Sequence, residues 1–212
     1  MAKTKVRPRT DLGFGGSGTD IPLRRYRGDG SGGSEPNPSS SARLGLYLFL
    51  LAVAMMFGAI GAIFLYRLPV RADFAFQVPS VSWVSTTVIL VSSLFCQHAL
   101  NSARQAQLTG VRWGLIGTLA LGVLFLCLQG ISWVDLARQV QVTGNNLFTG
   151  LFYVFTALHG VHLLGGLLFI GYLLYRVFRH AQADALKVEL GTIYWHFMGV
   201  LWAALFGLMQ IR

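Results

Sequence analysis

Polar side chains thin out after residue 43. From there the chain runs through five long apolar stretches, at about 44–66, 80–103, 113–134, 147–175 and 190–211. Each is close to or above the roughly 20 residues that a helix needs to cross a bilayer. The pattern therefore predicts an all-α fold, an integral membrane bundle of five transmembrane helices. At about 1.5 Å of rise per residue the fourth stretch exceeds the hydrocarbon thickness, so it is expected to tilt or to project. Asp135 and the run Thr143-Gly144-Asn145-Asn146 predict a turn over about 135–146. Residues 1–43 lack apolar periodicity and contain GFGGSG, GDGSGGS and EPNPSSS, which predicts a flexible basic arm ahead of a transmembrane domain at 44–212. The arm has no apolar h-region and is not read as a secretory signal peptide.

Composition agrees with this pattern. Apolar residues make up 54% of the chain and charged ones 12%, about half the charge of a soluble domain. A formal charge of +9 points to nucleic acid in a soluble protein, but here eight of the 17 basic residues lie in the first 43 positions. Placing the amino terminus in the cytoplasm puts these eight on that side together with Arg104, Arg112, Arg176, Arg179 and Lys187. Only Arg67, Arg71, Arg138 and Arg212 fall opposite. The positive-inside rule then predicts a cytoplasmic amino terminus and an external carboxyl terminus.

Ionisable residues inside apolar stretches are the candidate chemistry. His159, His162, Glu189 and His196 all fall at or within predicted spans, where an exposed ionisable group costs several kcal/mol, so they are expected to face the bundle interior. His159 and His162, three apart, share a helix face. Haem ligation by two facing helices is one reading of these histidines. It fits poorly, because His98 lies near one end of its span and His159 near the middle. The alternative is neutral packing histidines whose two ring nitrogens are both hydrogen-bonded inside the bundle. Cys96 and Cys127 fall within spans and read as buried free thiols. Cys96 and His98 are two apart and so point to different helix faces, which disfavours a copper site.

The order of motifs resembles subunit 3 of the haem-copper respiratory oxidases, the cytochrome c and quinol oxidase family, in its shorter five-helix form. Leu44-Gly45-Leu46-Tyr47-Leu48-Phe49 is similar to the family's LGMWLF opening, and Trp83-Val84-Ser85-Thr86 with Ser92-Ser93 to its WxNT…SS segment. Gln129 and Trp133 stand at LQxxEW, His159-Gly160-Val161-His162 at the paired histidines, and Glu189 with Tyr194-Trp195-His196-Phe197 at the final signature. The likeness extends from about Leu44 to Gln210. Three family acids are replaced, by Val53, Ser132 and Gly199. Losing several members of a polar network together leaves fewer orphans than losing one.

The resemblance implies a non-catalytic accessory subunit of a terminal oxidase in aerobic respiration, in a bacterial cytoplasmic membrane. It also implies no haem or metal in this chain, with haem and copper held by partner subunits I and II, and contact with membrane phospholipids. Arg104, Arg112, Arg176, Arg179 and Lys187 are candidate contacts for anionic headgroups. Topology alone also accounts for them. Gly110, Gly114, Gly160, Gly165, Gly166 and Gly171 suit close helix approach. Glu189 reads equally as a carboxylate favoured at a helix start. No nucleophile–base pair, phosphate loop or metal constellation is legible. A subunit-III-like component of a nitric oxide reductase stays open as the alternative. A standalone membrane cytochrome or a transporter is disfavoured, the latter because no inverted repeat or pair of broken helices is visible.

Overall fold

The computed structural model describes residues 38–66, 81–143 and 147–210. They form five helices: α1 Pro38–Tyr66, α2 Val81–Arg104, α3 Leu108–Thr143, α4 Leu147–His180 and α5 Ala185–Gln210. All five are long and apolar enough to cross a membrane. Most of the arm expected before residue 44, and Gly144, Asn145 and Asn146 of the expected turn, lie outside the described residues.

All five helices start earlier or end later than their apolar runs, because apolarity marks only the part within hydrocarbon. The backbone stays helical until a residue stops it. Pro38 can open α1 because the first helical position needs no N–H partner. The turn expected over about 135–146 is a correction: α3 remains helical to Thr143, since Asp135–Val142 contains neither glycine nor proline. After α2 and after α4 the chain turns through Ala106 and Ala181 in the left-handed region, at φ 55° and 48°. At the first of these, Gln107 N–H donates to Ser102 O at 2.9 Å and closes the helix end.

Helices α2, α3, α4 and α5 form a ring in chain order, each packed against its two neighbours, and α1 lies outside against α4 and α5. The ring encloses Phe125, Leu163, Trp195, Met198 and Trp202. A smaller cluster of Val53, Phe57, Phe64, Phe155 and Leu205 joins α1 to α4 and α5.

Within a bilayer little hydrophobic force draws helices together, so close backbone approach matters. A Cβ on Gly114 would lie 2.7 Å from the Ala99 backbone nitrogen, which makes this the tight seam between α2 and α3. On Gly166 it would meet the Tyr194 ring at 2.7 Å. Gly122, not singled out from sequence, is equally closed, with Leu167 at 2.6 Å. Gly160 and Gly165 have nothing within 4 Å and Gly171 only Leu119 at 3.9 Å, so these three do not serve close approach as expected.

Candidate functional site

One end of the bundle gathers the starts of α1, α3 and α5 and the ends of α2 and α4, and with them the candidate basic residues. Glu189 stands there with two arginines, Arg43 at 3.0 Å and Arg104 at 3.8 Å. An ion pair linking three helices, rather than the helix dipole, therefore accounts for this carboxylate. Lys187 pairs with Asp184 at 3.1 Å, and its hydrogen bond holds the Asp184 carboxyl below the usual carboxylate range. Arg112 lies over the Phe178 ring at 5.0 Å, Arg176 over Tyr172 at 6.0 Å, and Arg179 over Tyr175 at 5.8 Å. Arg179 also donates to the Tyr175 hydroxyl. Among the described residues these last three arginines have no carboxylate partner. The buried Arg112 Nε has no hydrogen-bond partner among the described residues.

Inside the ring, a polar edge along α2 takes up the side chains of the family motifs. Trp195 Nε1 donates to Ser92 Oγ at 3.0 Å, Trp202 Nε1 to Thr86 Oγ1 at 3.1 Å, and Gln129 Nε2 to Ser85 Oγ at 2.9 Å. His196 Nε2 stands 3.1 Å from Gln97 Oε1. An amide oxygen can only accept, so the histidine donates. Thr86 and Ser92 belong to the motif likened to WxNT…SS, whereas Gln97 was not singled out from sequence. Its signal is a polar side chain eleven residues, about three helical turns, from Thr86 and so on the same face of an otherwise apolar segment.

The paired histidines of α4 do not share a fate. Both rings pack edge-on against Phe57, at 6.5 Å for His159 and 5.9 Å for His162, as their common face requires. His162 Nδ1 stands 2.7 Å from the Leu158 carbonyl, which places its proton on Nδ1, and Tyr194 donates to the His162 carbonyl at 2.7 Å. His159 is 1% exposed, and among the described residues neither of its ring nitrogens has a hydrogen-bond partner. The expectation that both nitrogens of each packing histidine are satisfied is corrected here. Aromatic rings surround the imidazole instead: Phe57, Phe125 at 6.1 Å and Trp202 at 5.3 Å. Beside it a cavity of about 290 Å³ opens between α3 and α4, lined among others by Gln129, Gly130, Trp133 and Gly160.

Val53, Ser132 and Gly199, which stand where the resemblance leads one to expect acids, sit in packed surroundings. Val53 is 4% exposed within the α1 cluster, Ser132 donates to the Leu128 carbonyl at 3.1 Å, and a Cβ on Gly199 would stand 3.4 Å from Ser93 Oγ. Cys96 is buried as expected, whereas Cys127 is exposed on the outer face of α3, a second correction. Helical periodicity around residue 127 is too weak, in a segment apolar on every side, to show which face turns inward. Among the described residues no group of three or more His, Cys, Asp or Glu could hold a metal ion.

Residues 31–211 match the family model described as cytochrome c oxidase subunit III. The cytochrome c oxidase subunit 3 of Thermostichus vulcanus is 32% identical over 172 residues, covering 76% of this chain and 82% of that one. That of Synechocystis sp. is 31% identical over 169 residues, 74% of this chain and 70% of the relative. The probable cytochrome c oxidase subunit 3 of Nocardia farcinica is 33% identical over 125 residues, where the match spans 57% of this chain and 61% of the relative.

Proposed function

Because the chain belongs to the cytochrome c oxidase subunit III family, we propose that it is the non-catalytic accessory subunit of a haem-copper terminal oxidase in a bacterial cytoplasmic membrane. It docks beside subunits I and II, which hold the haem and copper, and stabilises the catalytic subunit. The observation that carries this reading is the span of the family match, which takes in all five helices.

Anionic phospholipid is the second partner in this reading. Arg112, Arg176 and Arg179 lie at one end of the α3–α4 pair, each over an aromatic ring that fixes its guanidinium and none with a carboxylate partner among the described residues. Cations held in this way at the edge of the hydrocarbon suit lipid phosphate. Arg104 and Lys187 contribute less, since Glu189 and Asp184 already take part of their charge. The charge distribution supports an orientation with this basic end in the cytoplasm, the amino terminus inside and Arg212 outside.

The test is purification of the tagged chain from its own membranes in mild detergent. Co-elution with a haem-containing large subunit that consumes oxygen supports the proposal. Elution without haem, or with a subunit that reduces nitric oxide but not oxygen, overturns it.

A further inference from the structure

The α3–α4 cavity and His159 together make a site that the accessory role does not use. At about 290 Å³ the cavity lies near the lower end of small-molecule pockets and holds roughly ten water-sized groups. Its polar lining is mostly engaged elsewhere: Gln129 Nε2 donates to Ser85, and Trp133 Nε1 donates to Thr156 at 3.0 Å. Among the described residues of that wall, His159 has both ring nitrogens without a hydrogen-bond partner.

The mouth opens on the outer face of the bundle. Val161 and Leu164, which line it, are 64% and 49% exposed on the outer face of α4. Gly130 and Gly160, also in the lining, have nothing within 4 Å of where a Cβ would stand. The opening is therefore made by two absent side chains on that outer face.

The chemistry narrows the ligand class. Apolar cavities stay dry unless several polar groups converge on a water, and that convergence is missing here. A neutral imidazole has one donor and one acceptor nitrogen. The N–H can lean on the face of a surrounding ring, but the other nitrogen needs a hydrogen-bond donor. We propose that this cavity binds a neutral single-headed amphiphile of about ten non-hydrogen atoms, whose hydroxyl donates to His159 while its chain lies between α3 and α4. The imidazole nitrogens are shielded in this structure, so engagement turns the ring toward the cavity.

Photolabelling of the protein in its native membranes tests this, with diazirine derivatives of 1-octanol and of octane as probes. The alcohol is expected to label peptides around Gly130 and Gly160 saturably and at least fivefold more than the alkane, with excess 1-octanol competing. Gly160→Leu fills open space and is expected to remove that labelling at least fivefold while leaving the protein assembled. His159→Leu is expected to erase the preference for alcohol over alkane. Should that variant fail to assemble, the wild-type preference for alcohol and its loss in Gly160→Leu still decide whether the cavity binds the amphiphile. Unsaturable labelling, labelling unchanged in Gly160→Leu, or equal labelling by alcohol and alkane in the wild type would each overturn the proposal.

Discussion

Arg43, in the first turns of α1, holds Glu189, near the start of α5, through both carboxylate oxygens at 3.0 and 3.1 Å. The contact bridges 146 residues of sequence. Among the described helices α1 touches only α4 and α5, so this pair fastens the least embedded helix at one end.

The arginine is 46% exposed and the glutamate 21%, so solvent screens the pair, and its coupling is expected to be only about 0.2–1 kcal/mol. Glu189→Gln should cost more than Arg43→Gln, because it also releases Arg104. Thermal unfolding of the two single variants and the double variant checks this. Strictly additive losses in that cycle would show that the ion pair contributes nothing.

The α2–α3 seam gives the second prediction. Gly114→Val forces a branched side chain into the Ala99 backbone and is expected to destabilise the bundle by about 1–3 kcal/mol or more. Gly165→Ala meets nothing and removes a flexible helical glycine, so it should be neutral or stabilise by up to about 1 kcal/mol. Both glycines lie in helices of similar composition, and a common fold requirement for glycine would give them equal effects. Melting temperatures of the two variants in detergent separate these outcomes.

That contrast shows what the sequence could and could not reveal. Five membrane helices were legible because span length and apolarity are set by the bilayer itself. Which glycine is pressed against a neighbour was not, since Gly114 and Gly165 look alike until helix rotation is known. Rotation is poorly encoded where apolar residues cover every side, as around Cys127 on α3. The end of α3 was missed for a related reason. Asp135 and Arg138 are polar, but polarity ends a membrane span without ending a helix, and α3 runs on to Thr143. At the candidate site, the shared face of His159 and His162 followed from their spacing. Their different hydrogen bonding was not legible, since His162 turns back to the Leu158 carbonyl of its own helix while His159 is enclosed by Phe57, Phe125 and Trp202.

The histidines supply the last prediction, an order of stability. His196→Leu strands the Gln97 amide oxygen in the bundle and is expected to cost about 1–3 kcal/mol. His162→Leu gives up a bond to a carbonyl that the helix ladder also uses, so its cost should be smaller. His159→Leu removes a buried imidazole with no partner to lose, and in lipid-stripped protein it should be neutral or stabilising, because the replaced group carried an unsatisfied polar burden. Oxygen consumption per haem in the assembled oxidase should hold nearly constant in all three, while the amount of this subunit retained follows the stability order. Removing a general acid or base costs about 10²–10⁴-fold in rate. A loss of that size with full retention of the subunit would assign that histidine to proton movement and end the packing account.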